Sequence, residues 1–237
     1  MNAQQKIFFL QYIIGFIESA NKELPAPEEG DEPQFKKKID EWEADDWKNS
    51  KDAIIKAQIN LKKRDLGKFI VDLLKEDITN NIELANSILL CAIAYLLGGN
   101  AVTQKNVLEE LDKDDESKVF ANIEILIFKL GKLIRKSIDE ANTQKDEDSN
   151  ESTEFNLDKI DNYDFFDAKM KYTMRKNVSE PNSTDEFLYG KLCITTYRRA
   201  FKFLQIMCEN NNKESKNFIR IQPGKSRQFN FIDITTK

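Results

Sequence analysis

No histidine occurs among the 237 residues, and its absence removes the commonest general base and the commonest metal ligand together. Nucleophile–histidine pairs are therefore excluded within this chain. Cysteine is nearly as scarce. Cys91, Cys193 and Cys208 are an odd set embedded in apolar helical patterns. They read as reduced packing residues of a cytosolic protein, not as a disulfide framework. Only 8 Gly and 5 Pro punctuate the chain, which favours long helices with few turns. There is no C-x-x-C pair, no G-x-G-x-x-G loop and no G-x-x-x-x-G-K-[ST] run, so redox, dinucleotide and phosphate-loop chemistry have no motif to stand on. The net charge of −5 argues against broad nucleic-acid binding, which needs a basic footprint. With no nucleophile–base pair and no metal cluster to name, the chain is not read as an enzyme.

Long apolar runs are also few. Ile7–Ile17 (IFFLQYIIGFI) is about a dozen residues, against the roughly 20 that a bilayer span needs, so no membrane span is expected. Lys6 before it and Ser19-Ala20 after it allow a signal-peptide core, but nothing downstream looks secreted, and a buried helix is the preferred reading.

What is present is helical. Residues 25–33 (PAPEEGDEP) read as a solvated loop. Lys36–Lys48 is densely charged, with Trp42 and Trp47 as anchors of a surface helix. From Asp52 the stripes strengthen: Ile54, Ile55, Ile59 and Leu61, then Leu66, Phe69, Ile70, Leu73 and Leu74. Residues 82–97 are almost wholly apolar, which places that helix in the middle of a multi-helix stack. It ends at Gly98-Gly99, where glycine supplies the left-handed closing turn, and Asn100 suits the N-cap of a helix over 101–111. Asp114 and Ser117 open a long helix to Ile138, with Phe120, Ile123, Leu126, Ile127, Leu130 and Ile134 on its apolar side.

Residues 139–154 (DEANTQKDEDSNESTE) carry almost nothing apolar and read as an acidic disordered insert, lacking the spaced ligands and central Gly of an EF-hand loop. A helical pattern resumes over 160–174, breaks at Pro181 and Asn182, and returns at Phe187 as a long helix. There Tyr197, Ala200, Phe201, Leu204, Met207 and Cys208 share one face. Asn210, Asn211 and Asn212 follow, then a short apolar pattern through Phe218, Ile219 and Ile221. Pro223-Gly224 marks a turn, and the apolar Phe229, Phe231, Ile232 and Ile234 stop at the chain end, as in a truncated unit.

The organisation expected is an N-terminal helix and charged linker over 1–50, helical repeats over 51–138, the acidic insert over 139–156 and C-terminal helices over 157–237. The fold class is all-α, an armadillo-like α-solenoid or an irregular multi-helix stack. No clear sequence repeat forces the solenoid.

Two runs go further. Residues 88–100 (ILLCAIAYLLGGN), followed by Gln104-Lys105, resemble the leucine-rich "LLxGGN…Q" run of inositol trisphosphate receptors, and the polar residues 112–117 before Val119-Phe120 fit the same alignment. Residues 203–210 (FLQIMCEN), then Lys216-Asn217-Phe218-Ile219-Arg220 and Gln222, resemble that family's "FLQLLCENHN…QNFLR.Q" run, which ryanodine receptors share in altered form. Lys216 stands where the family has Gln. The resemblance runs from about Asp52 to the C-terminus and points to the RIH-associated region of the inositol trisphosphate/ryanodine receptor calcium-release channels. It implies a cytoplasmic regulatory and scaffold segment of an armadillo-like solenoid on the endoplasmic reticulum or a related calcium-store membrane. Its partners would be other domains of a homotetrameric channel, through protein–protein contacts.

The resemblance also implies that Glu209, the acid of the "CEN" run, is a ligand of the family's activating calcium site. The family often has histidine two residues on, beside the ion; here that residue is Asn211, an amide whose oxygen can serve instead. The remaining family ligands come from a later "TEYxQ" segment and from the domain after the pore. Calcium takes six to eight oxygens, so Glu209 and Asn211 are expected to form only part of a site. Calcium is then a cofactor only together with partner domains, and none is expected in the isolated chain. The alternative reading is a stand-alone α-helical scaffold that lacks the pore and binds other proteins. Continuation of the transcript past Lys237 into "TEYxQ" and apolar spans would separate the two.

Overall fold

Capping side chains set where the helices begin. The computed structural model of the chain describes residues 1–20, 51–76, 78–148, 183–210 and 212–222. Helix α1 (Ala3–Ser19) starts in a capping box, with Asn2 and Gln5 each closing the other's backbone N–H. It is followed by α2 (Lys51–Lys62), α3 (Leu66–Lys75), a 3-10 turn (Ile78–Asn80) and α4 (Ile82–Leu96). Asn81 caps α4 by accepting from the Leu84 N–H at 2.9 Å. Then come α5 (Ala101–Asp112), α6 (Lys118–Asp148), α7 (Ser183–Met207) and α8 (Lys213–Ile221). No strand occurs among the described residues, and the all-α multi-helix stack expected from the apolar stripes is what forms.

Helix α4 is the axis of that stack. Every residue from Ile88 to Leu97 is buried, because α7 lies along one side of it and α1 along another, with α3 also in contact. An apolar circumference with no polar stripe demands neighbours all round. Helix α6 backs α7, with the Tyr197 ring packed over Gly131. Helices α3 and α5 approach closely at Gly67, where an added Cβ would lie 2.1 Å from Asn106 Oδ1. That approach lets Asn106 accept from the buried Tyr95 hydroxyl at 2.8 Å.

Helix α1 is buried on one face only. Ile7, Leu10, Ile13, Ile14 and Ile17 enter the core, while Phe8 and Tyr12 remain 74% and 70% exposed. Among the described residues it packs mainly against α4 and α2, and Phe9 meets Phe69 of α3 edge-on with ring centroids 5.4 Å apart.

Helix α6 opens at Lys118, as Asp114 and Ser117 led one to expect, and Asp114 Oδ2 accepts from the Val119 N–H at 2.9 Å. It does not stop at Ile138. It continues through Asp148, so the acidic insert expected over 139–156 begins as helix. Half of residues 139–148 are Glu, Ala, Gln or Lys, which are good helix formers, and the rest are Asp, Asn and Thr; extending a helix already nucleated is easy enough to carry through them. Trp42, Trp47, the pattern over 160–174, the break at Pro181 and Asn182, Pro223-Gly224 and the apolar tail after it lie outside the described residues.

Among the described residues no helix is long and apolar enough to cross a membrane.

Candidate functional site

Each α-helix ends with backbone carbonyls that have no partner inside the helix. In this fold several are closed by side chains from other helices. Asn122 of α6 donates to Leu74 and Glu76 carbonyls after α3 at 2.8 and 2.7 Å, and Lys129 donates to Thr79 O at 2.7 Å. The same device is most developed where α4 and α7 end.

At the end of α4, Gly98 and Gly99 take positive φ of 79° and 59°, the left-handed turn expected of them. Gln58, fully buried on α2, donates to the carbonyls of Ala94 at 3.0 Å and Leu97 at 3.1 Å. Its own oxygen accepts from Asn100 Nδ2 at 2.9 Å, and Asn100 Oδ1 accepts from the Val102 N–H at 3.0 Å, which makes Asn100 the N-cap of α5. Across the turn sits Asn210, itself left-handed at φ 54°, a conformation asparagine tolerates. Its Nδ2 donates to Gly98 O at 2.8 Å and Gly99 O at 2.9 Å. An added Cβ on Gly99 would stand 2.6 Å from that nitrogen and 3.1 Å from Glu209 Cβ. The glycine is required for both its dihedral and its space.

At the end of α7 the donor is Gln104 of α5, also fully buried. Its Nε2 reaches Ile206 O at 2.8 Å and Glu209 O at 3.4 Å, and its Oε1 accepts from Asn212 Nδ2 at 3.0 Å. Asn212 in turn caps α8 by accepting from the Ser215 N–H at 3.1 Å. Gln58, Asn100, Gln104 and Asn212 each donate and accept at once, which only an amide among these side-chain types does on two distinct atoms. The two runs that carry the family resemblance are therefore in direct contact, knitted by side-chain amides across more than a hundred residues of chain. Phe218 of α8 closes the junction from below, packed against Phe120 with centroids 6.1 Å apart. Along the α4–α7 seam, buried Arg199 donates to Asn86 Oδ1 at 2.7 Å.

Glu209 emerges from this junction. Its side chain is 32% exposed, and Oε1 lies 3.8 Å from Lys202 Nζ, whose side chain is 25% exposed. Lys202 Nζ also stands 3.5 Å from Gln205 Oε1. A carboxylate just past a helix C-terminus opposes the helix dipole, at a cost of about 0.3–1 kcal/mol, and no basic residue in the last turn of α7 offsets it. Stability alone does not favour an acid at this place. The partly exposed ion pair with Lys202 returns about 0–1 kcal/mol.

The residues present fit one edge of a calcium shell and no more. Among the described residues no three Cys, Asp or Glu side chains converge as a metal cluster, and one carboxylate supplies at most two of the six to eight oxygens calcium takes. A cation is nonetheless accommodated at Glu209, namely the Lys202 ammonium. Asn211 lies outside the described residues. Its neighbours Asn210 and Asn212 use their amide nitrogens in the junction.

The thiols are not poised for chemistry. Burial pushes the Cys91 thiol up to about 12 and raises Cys193 as well. Cys208 is also raised by burial, with Lys216 pulling partly the other way.

Gln58, Lys202 and Arg199 were not legible as site residues. Gln58 had one signal: with Ile54, Ala57 and Leu61 it falls at steps of three and four, a polar residue inside an apolar stripe. Lys202 had none, since a lysine on a long helix is ordinary.

Residues 191–237, about a fifth of the chain, match the family described as RyR and IP3R Homology associated. That segment takes in most of α7, all of α8 and the residues beyond it. The likeness is confined to that segment, and the family's description names the inositol trisphosphate and ryanodine receptors. The first run, residues 88–105, lies outside the matched segment and forms the surface on which it docks. No solved structure matches the chain.

Proposed function

We propose that this chain is a regulatory scaffold segment of an intracellular ligand-gated calcium-release channel, in which Glu209 supplies part of a calcium-sensing site that a facing domain completes. On this reading the helix stack is a piece of an armadillo-like solenoid on the cytoplasmic face of a calcium-store membrane such as the endoplasmic reticulum, and the whole channel is a homotetramer. The observation that carries it is the position of Glu209: a partly exposed acid, set against the helix dipole, held at the point where the two family-like runs meet. Calcium bridging Glu209 to another domain would favour one relative orientation of the two, a shift in population driven by differential binding.

Calorimetric titration of this chain with calcium tests the partial site. The expected result is no binding tighter than about millimolar, the weak end of calcium sites. Micromolar binding by the chain alone would overturn the shared-site reading. Fractionation of cells followed by immunoblotting tests the channel assignment: the native protein is expected with calcium-store membranes, and recovery in the soluble fraction alone would count against it.

A further inference from the structure

We propose that Lys202 is a built-in competitor for the calcium site at Glu209, and that it sets the calcium concentration at which the site responds. The inference rests on the calcium reading of Glu209 given above and assigns a role to a residue that reading does not use.

Lys202 and Gln205 lie near the end of α7 and Glu209 just past it, at steps of three and four, and the lysine side chain reaches toward Glu209. At 3.8 Å from Oε1 the ammonium lies within ion-pair range but beyond hydrogen-bonding distance. It neutralises the carboxylate without locking it, leaving the other oxygen to an incoming ion. Both side chains are only a quarter to a third exposed, so their mutual field is less screened than that of a fully exposed pair. The helix C-terminus adds partial negative charge at the same place, which favours whichever cation occupies it.

A divalent ion arriving at Glu209 must therefore displace Lys202 or bind beside it. An ammonium about 4 Å from a dication, free to swing partly away, weakens binding by on the order of three- to tenfold. The benefit of such a residue is selectivity by charge: a monovalent ion gains little over the lysine, and a dication gains most.

The test is an NMR titration of the full chain with calcium chloride into the tens of millimolar at fixed ionic strength, followed at the backbone amides of Glu209 and Asn210. Lys202→Gln is expected to lower the midpoint three- to tenfold, and Lys202→Arg, which keeps the charge, to leave it within about twofold of the unsubstituted chain. Glu209→Gln is expected to abolish the local response in every background. A Lys202→Gln midpoint unchanged within twofold, or an equal fall in Lys202→Arg, overturns the competitor role while leaving the calcium reading intact. A response that persists in Glu209→Gln overturns the calcium reading and the competitor role with it, and no response at these amides in any variant, Lys202→Gln included, overturns the competitor role, since removing the ammonium then gains the ion nothing.

Discussion

Replacing Gln104 with alanine removes the donor that closes the end of α7 and the acceptor that holds Asn212. Ile206 O loses the Gln104 donor but keeps the Glu209 N–H at 3.2 Å, so the loss costs the net worth of one hydrogen bond, about 0.5–1.5 kcal/mol. The carbonyl of Glu209 and the Asn212 amide are only partly buried and recover water, so they add little. The cavity left by the missing side-chain atoms brings the total to about 1.5–2.5 kcal/mol. With a urea slope near 3 kcal/mol/M for a chain of this size, the unfolding midpoint should fall by about 0.5–0.8 M. Urea melts followed by circular dichroism measure it. Asn212→Ala and the double variant complete a cycle in which the two losses should fall short of additivity by about 1 kcal/mol, because each single change already breaks the bond they share. A midpoint shift under about 0.3 M for Gln104→Ala, or strict additivity, would refute the view that this amide ties the two runs together.

Gly67→Ala places a methyl group 2.1 Å from Asn106 Oδ1 and should lower stability by about 1–3 kcal/mol in a thermal melt. Adding Asn106→Ala to it should recover part of that loss, since the clashing atom is gone. The Cys91 thiol, raised by burial from its ordinary 9.0 to about 12, makes the folded chain hold a proton that the unfolded chain releases. Its contribution is therefore complete below pH 9 and declines by about 1.4 kcal/mol per pH unit as pH rises toward 12. Cys91→Ala should flatten the alkaline limb of stability against pH relative to the unsubstituted chain, and identical limbs would show that the thiol is not buried as described.

The parts of the fold that read clearly from sequence are those decided by near neighbours. The Gly98-Gly99 turn and the Asn100 cap depend on residues in contact along the chain, and residues 82–97 announce a central helix by composition alone. The face of α7 was only half legible. Its stripe through Tyr197, Ala200, Phe201, Leu204 and Met207 is real, yet Phe203 and Ile206 are buried as deeply as any of them, because α4 and α6 cover α7 from two sides. The end of α6 was misjudged because a loss of apolar residues marks the loss of a packing face, not the loss of helix. The roles of Gln58 and Gln104 do not show in the sequence, since their partners are carbonyls at the ends of distant helices. Glu209 stood out through resemblance, and its ion-pair partner Lys202 required the fold.

The order in which α4 acquires its neighbours has a consequence during synthesis. Helix α1 precedes α4 and can cover one flank at once, but α7, which covers the other, ends at Met207 against Leu96 for α4. At ribosomal speeds of about 5–20 residues per second, the intervening chain takes on the order of ten seconds to emerge. Through that interval an apolar helix stands with one side open, and the nascent chain offers a chaperone its clearest target in residues 82–97.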